Sequence, residues 1–385
     1  MMIENVTSVL LALLPAVMIF KVPGTDFGFA TLFVACLAFL GIIYMINGKM
    51  IRFKSMILLF VLYITIRNIG NGLMPIFYIM VLFVILASEN SMFDFTILTS
   101  TIQVVALLAS AVLIVQLIFH YLLNINFSPI VKSMVLSEYR GQTYGYTLSG
   151  TGEFRPSAFF LEPAHYCQYT IIALLITLLR NTKCTKRNIY LIFYTIGMLG
   201  SGSGIGILLC IGVYSYYVLK KIKGKKGPEK VIFFVLTVIL VIIVILIGAK
   251  VSTVKYSLSR IFTSDSTGYN AVKGRSVHWS ETVDTLTGIY KAFGIGPIVN
   301  HINGFLTGAN EIIYYYGYFG VFLLIISLVS QVIKAIKQPF YDIEMLVLFS
   351  VCYFALFLAA DVVGFISLTF WFSILVCNRK TNFYS

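Results

Sequence analysis

Residues 98–120 run for 23 positions without an Asp, Glu, Lys or Arg, and eleven other apolar stretches punctuate the chain. They lie at about 5–20, 27–46, 55–66, 72–88, 163–179, 189–200, 203–219, 231–248, 309–333, 344–360 and 362–377. A span in lipid must satisfy its own backbone N–H and C=O groups, and a straight helical one needs ~20 apolar residues. Several of these stretches are shorter, so two are expected to be re-entrant or broken helices. Hydrophobic residues make up 59% of the sequence, charged ones 11%, and mean hydropathy is +0.93. Soluble domains carry about 25% charged residues. The expected fold is an all-α polytopic membrane protein of about 12 transmembrane helices, one integral membrane domain over 1–385. Its two long outer loops are 121–162 and 249–308.

The net charge of +13 does not read as a nucleic-acid footprint. The lysines sit in short turns beside apolar stretches, as the positive-inside rule describes. With a cytoplasmic N-terminus, the inner loops hold 17 Lys and Arg, the short outer turns only Lys21 and Arg67, and the two long loops the other 9 of 28. Both termini are then cytoplasmic. Thr147 and Gly268 are expected outside, Lys225 and Lys337 inside. An impermeant thiol reagent applied to intact cells should label Thr147→Cys and spare Lys225→Cys; labelling of Lys225→Cys would overturn this topology. No cleavable signal-peptide pattern precedes the first stretch.

The six cysteines are scattered, without metal or disulfide spacing. No phosphate-binding glycine loop of a nucleotide site is present. No internal repeat of the inverted-repeat transporter kind is evident.

On the outer side the polar residues change character. His120, His165, His278 and His301 all fall there, with Glu138, Glu153, Glu162, Asp265, Glu281, Asp284 and Glu311, and with Arg140, Arg155, Arg260 and Arg275. Arginine's planar fork grips phosphate oxygens, and a histidine or carboxylate can accept a hydroxyl proton. The densest stretch is Arg155-Pro156-Ser157-Ala158-Phe159-Phe160-Leu161-Glu162-Pro163. Pro163 suits the first position of a helix, and Glu162 before it meets the positive end of the dipole. His165, three residues on, shares the first turn with Glu162. His301 stands where the chain returns to the membrane, placed for a base over a lipid-borne substrate; an ordinary loop histidine is the competing reading. His120 and His278 read as interfacial side chains. Glu281 and Asp284 read as the solvated face of a helix through 276–288. Glu311, at the outer end of the tenth stretch, is either a dipole partner or part of a polar cavity, and Tyr314 to Tyr316 fit an aromatic belt equally well.

These residues resemble a known family. Four stretches are similar to those of the Wzy-type polysaccharide polymerases and, more distantly, the O-antigen ligases. They are Arg155 to Pro163; Ser201-Gly202-Ser203-Gly204-Ile205-Gly206; Gly274-Arg275 with Trp279 and Phe293-Gly294-Ile295-Gly296; and Asn310 with Gly317 and Gly320. Gly204 stands where the ligases carry arginine, and the nearest match to their His-Asn pair is His301 with Asn303. The Arg-X10-Gly spacing of some polymerases is absent after Arg140, Arg155 and Arg275.

The resemblance implies a GT-C-like architecture and a metal-independent, inverting glycosyl transfer on the outer leaflet. The donor would be a polyprenyl-pyrophosphate-linked oligosaccharide, with no cofactor. Arg155, Arg275, His165 and Asn310 would bind pyrophosphate and glycan; His301, Glu162 and Glu311 would be the catalytic candidates. Membrane lipids, a chain-length regulator and a flippase would be partners; nucleic acid would not. Transfer of finished glycan by a ligase, and a lipid-linked saccharide flippase, stay open as alternatives.

Overall fold

The structure, a computed structural model, describes residues 2–47, 55–139, 145–148, 154–180, 184–223, 279–297, 306–338, 341–360 and 362–378. Among these, helices dominate. Chain order is α1 (Met2–Leu13), α2 (Phe29–Ile46), α3 (Ile57–Arg67), α4 (Met74–Glu89), α5 (Phe95–Leu123), β1 (Tyr146–Leu148), β2 (Phe154–Pro156), α6 (Pro163–Leu179), α7 (Cys184–Gly200), α8 (Gly204–Lys223), α9 (Gly288–Phe293), α10 (Gly308–Glu311), a π-helical turn (Ile312–Tyr316), α11 (Gly317–Lys337), α12 (Ile343–Ala359) and α13 (Phe365–Cys377). Among the described residues four stretches are long and apolar enough to cross a membrane: Phe29–Ile46, Phe95–Leu123, Gly204–Lys223 and Gly308–Lys337. Six more apolar helices are shorter, at 10–17 residues. The ninth apolar stretch of the sequence, 231–248, lies outside the described residues.

The chain forms two compact units. The first comprises 1–105, 134–138 and 274–385; the second comprises 106–133 and 139–273.

In the first unit, polar contacts gather at two ends of the helices. At one end Tyr44 Oη donates to Glu4 Oε1 and to the Ser91 carbonyl, and Thr7 Oγ1 donates to the Met92 carbonyl at 3.0 Å. Gln331 donates to Ser55, Lys334 Nζ lies 3.8 Å from Glu89 Oε1, and Asn378 Nδ2 donates to the Asp342 carbonyl. At the other end Phe20 bridges Val135 and Lys21 bridges Gly28. There Arg67 meets Gly294, and Gly308 N donates to the Ala360 carbonyl. Side chains cap the helix starts: Asp94 accepts from Thr96 N and Ile97 N ahead of α5, and Asp342 accepts from Met345 N ahead of α12. Such caps contribute ~1 kcal/mol each.

In the second unit α6 is the interior element. Every residue from Tyr166 to Leu178 is buried, as expected of a helix that is apolar all round. Gly197 of α7 and Gly206 of α8 admit the Tyr166 hydroxyl and the Cys167 sulfur, which a Cβ at either position would strike. Tyr166 Oη lies 2.7 Å from Ser110 Oγ of α5.

Three differences from the sequence reading have local causes. The first stretch is helical only to Leu13, because Pro15 cannot continue a helix and disfavours it at Leu14. The seventh helix starts earlier than 189 and takes in Lys186 and Arg187. The helix expected through 276–288 is not one element. Helical geometry from Trp279 ends by Thr282, Thr287 is extended, and Gly288 adopts φ +53 before α9 starts afresh. The first long loop adds a two-stranded hairpin, Thr147 pairing with Arg155, and two short 3-10 turns, Lys132–Met134 and Ser137–Tyr139.

Candidate functional site

The stretch Arg155 to Pro163 is held by one buried amide. Gln116 of α5 is fully buried. Its Nε2 donates to the Gly145 carbonyl at 2.8 Å and to the Phe127 carbonyl at 3.1 Å, and its Oε1 accepts from Ala158 N at 3.0 Å. Ser157 N donates to the Gly145 carbonyl at 2.7 Å, and Ser157 Oγ donates to the Phe160 carbonyl at 3.0 Å. Ala158 takes a left-handed φ of +54, strained for a residue with a Cβ. The strain is compatible with this frame because the peptide group ahead of Ala158 is held at both ends: Ala158 N donates to Gln116 Oε1 and the Ser157 carbonyl accepts from Phe160 N. Gln116→Leu should leave the Ala158 N–H and the Phe127 carbonyl without this partner, at ~1–3 kcal/mol each, while the Gly145 carbonyl keeps Ser157 N. The expected result is a clear drop in melting temperature for the detergent-purified protein, measured by intrinsic fluorescence; an unchanged melting temperature would contradict the clamp.

Beyond the frame, Arg155 is half-buried on β2, and its Nε donates to the Gly202 carbonyl at 3.1 Å. The Ser201 to Gly206 stretch is ordered in turn: Ser201 Oγ lies 3.2 Å from Cys167 Sγ, and Ser203 N donates to Ser201 Oγ at 3.3 Å. Glu162 is the N-cap residue of α6, exposed, with extended backbone and no side-chain cap bond; Pro163 follows at the first position. His165 is half-buried in that first turn. His120 is pinned, its ring stacked on Phe154 at 4.2 Å and its Nδ1 2.8 Å from Asn126 Oδ1.

A second constellation lies in the first unit. The π-helical turn Ile312–Tyr316 leaves three successive carbonyls to be satisfied from outside. Tyr314 O accepts from Ile295 N at 2.9 Å, Tyr315 O from Gly296 N at 3.0 Å, and Tyr316 O from Tyr63 Oη at 2.7 Å. Irregular backbone at membrane depth is tolerated only when re-satisfied in this way. Gly294 and Gly317 make the close approach, with φ/ψ near +73/171 and +70/−179, a region essentially reserved for glycine. A Cβ on Gly294 would meet the Tyr315 backbone, and one on Gly317 the Ala292 carbonyl. Asn68 Nδ2 donates to Tyr316 Oη at 2.9 Å, and Arg67 Nη2 to the Gly294 carbonyl at 2.9 Å. Asn310, 3% exposed, has its N–H on Thr307 Oγ1, while its Nδ2 has no hydrogen-bond partner among the described residues. Glu311 is half-buried at the end of α10.

Of the seven site residues expected from sequence, Arg155, Glu162 and His165 belong to the first constellation and Asn310 and Glu311 to the second. Arg275 and His301 lie outside the described residues, and with Arg275 the expected convergence of two arginines. Gln116, Tyr63, Arg67 and Asn68 were missed. The signals were an amide, one of two, in an uncharged 29-residue helix, and an arginine read only as a topological charge. Among the described residues no group of three or more His, Cys, Asp or Glu side chains is gathered as a metal site.

Fold and sites together define an α-helical membrane protein in which irregular, glycine-bearing backbone is held by side-chain clamps. No protein-family model matches the sequence, and no curated protein matches it either.

Proposed function

We infer that the protein polymerises polyprenyl-pyrophosphate-linked oligosaccharide repeat units into a surface polysaccharide on the outer leaflet of the bacterial cytoplasmic membrane. The observation that carries this reading is the pairing of the family-like stretches. Arg155 to Pro163 is joined to Ser201 to Gly206 through the Arg155–Gly202 hydrogen bond. Phe293 to Gly296 is joined to the Asn310 to Gly320 segment through the Tyr314 and Tyr315 carbonyls. Stretches far apart in sequence thus meet in pairs, as parts of a working site would.

In the proposed reaction an acceptor hydroxyl attacks the anomeric carbon of the donor sugar. A new glycosidic C–O bond forms, the bond to the diphosphate oxygen breaks, and its electron pair leaves on polyprenyl diphosphate. His301 or Glu162 takes the hydroxyl proton. Arg155 and Arg275 balance charge on the departing diphosphate, with His165 and Asn310 holding donor or glycan and Glu311 the further acid–base candidate. Arg155 suits this role because its guanidinium is oriented by the Nε bond to Gly202 and carries a permanent positive charge. The test is the length of lipid-linked glycan in cells with and without the protein. Loss of the protein should leave single repeat units on the outer leaflet. Units trapped on the inner leaflet would indicate a flippase, and long chains stranded on lipid a ligase.

A further inference from the structure

Arg67 stands at the C-terminal end of α3, half-buried, and no carboxylate among the described residues lies within ion-pair reach of it. Its Nη2 is fixed by the Gly294 carbonyl, and its buried Nε has no hydrogen-bond partner among the described residues. A part-buried charge without a counter-ion is costly unless a ligand supplies one. The helix end contributes a favourable term for a cation, but it gives Nε no acceptor.

An aromatic path starts beside this guanidinium. Phe293 precedes the Gly294 that holds Arg67, and its carbonyl accepts from Tyr63 Oη at 3.2 Å. Phe293 packs on Phe319 at 5.6 Å between ring centroids; Phe319 packs on Tyr63 at 5.2 Å and on Phe322 at 6.3 Å. Phe293, Phe319 and Phe322 are all exposed, Phe322 at 55%. The path therefore runs from a cation at the helix end along α11, through rings that are exposed among the described residues.

We propose that Arg67 and the Phe293–Phe319–Phe322 path form a lipid-phosphate site, with the guanidinium on the diphosphate and the polyprenyl chain along the aromatic rings. The choice of a polyprenyl diphosphate over an ordinary phospholipid rests on the polymerase reading. Gly296 suits such a site because its missing side chain keeps the approach to Arg67 open; a Cβ there would stand 3.4 Å from Nη2.

The test uses the full chain in phosphatidylcholine nanodiscs. Retention of undecaprenyl diphosphate, undecaprenyl phosphate and phosphatidylglycerol is read by native mass spectrometry. Undecaprenyl diphosphate should be held tightest. Arg67→Gln should weaken it by about tenfold or more, and Arg67→Lys by a smaller factor, since a point charge replaces the fork. Phe322→Ala should weaken both prenyl lipids and leave phosphatidylglycerol unchanged. If Arg67→Gln does not fold, Arg67→Lys decides, because it keeps the charge. Wild-type retention in the folded variant sinks the site, as does equal loss of phosphatidylglycerol. The two readings separate cleanly. Arg67-dependent retention in a protein whose deletion leaves glycan length normal keeps the site and removes the polymerase. A deletion that stops polymer, with Arg67-independent retention, does the reverse.

Discussion

Arg155→Lys should stop polymer formation while the protein stays at its normal level in the membrane. In the proposed reaction the guanidinium serves two demands at once: Nε holds the Gly202 carbonyl, and its charge balances the departing diphosphate. Lysine has one ammonium on a flexible stem and meets either demand, not both. Two charge-assisted hydrogen bonds, each worth ~1.5–3 kcal/mol, are then compromised, enough to slow transfer by roughly a hundredfold or more. Arg155→Ala should be no better. If Arg155 merely anchored its loop at the lipid headgroups, lysine would snorkel there equally well and polymer length would be normal. A glycan ladder from cells carrying Arg155→Lys, beside an immunoblot of membrane protein, separates the two.

Gly317→Ala should remove the folded protein itself. Gly317 sits at φ +70, ψ −179, and a Cβ there would strike the Ala292 carbonyl and crowd Gly294 N. The conformation alone costs of order 1–3 kcal/mol for a residue with a side chain. The clash is with backbone, so relief means moving α9 and the 294–296 segment away from the π-helical turn. That would release the Ile295–Tyr314 and Gly296–Tyr315 hydrogen bonds and leave those carbonyls unpaired. Membrane yield and monodispersity on size-exclusion chromatography should both collapse. Gly212, whose added Cβ meets nothing within 4 Å, provides the matched control, and Gly212→Ala should behave as wild type. Normal yield of Gly317→Ala would show that the turn is more pliable than this geometry allows.

Helix positions were legible because charge and proline punctuate the apolar stretches. Pro163 opens α6 where expected, and α12 and α13 begin within a few residues of the stretches drawn from sequence. The early end of α1 was also written there, in Pro15, but the apolar run past it masked the break. The Arg155–Gly202 contact was not legible, since nothing in either stretch specifies which carbonyl a guanidinium will meet. The π-helical turn was hidden for a similar reason. Tyr314 to Tyr316 look like an interfacial belt, and their significance lies in their carbonyls, which accept bonds from a segment about twenty residues earlier and from α3. Arg67 was visible as a residue and invisible as a site, because in a turn between spans one positive charge looks like any other. The helix expected through 276–288 ends by Thr282, and the chain is extended at Thr287 before Gly288 takes a positive φ and α9 begins, a break that the spacing of apolar residues does not show.

The most direct measurement is reconstitution of the purified full chain in liposomes with a lipid-linked oligosaccharide repeat unit from the producing cell, without metal or nucleotide sugar. Products are released by mild acid and sized by gel electrophoresis. The account predicts a ladder of repeat-unit multiples with wild type and only single units with Arg155→Lys. Single units with wild type under conditions where the protein is folded, or an unchanged ladder with Arg155→Lys, would contradict it.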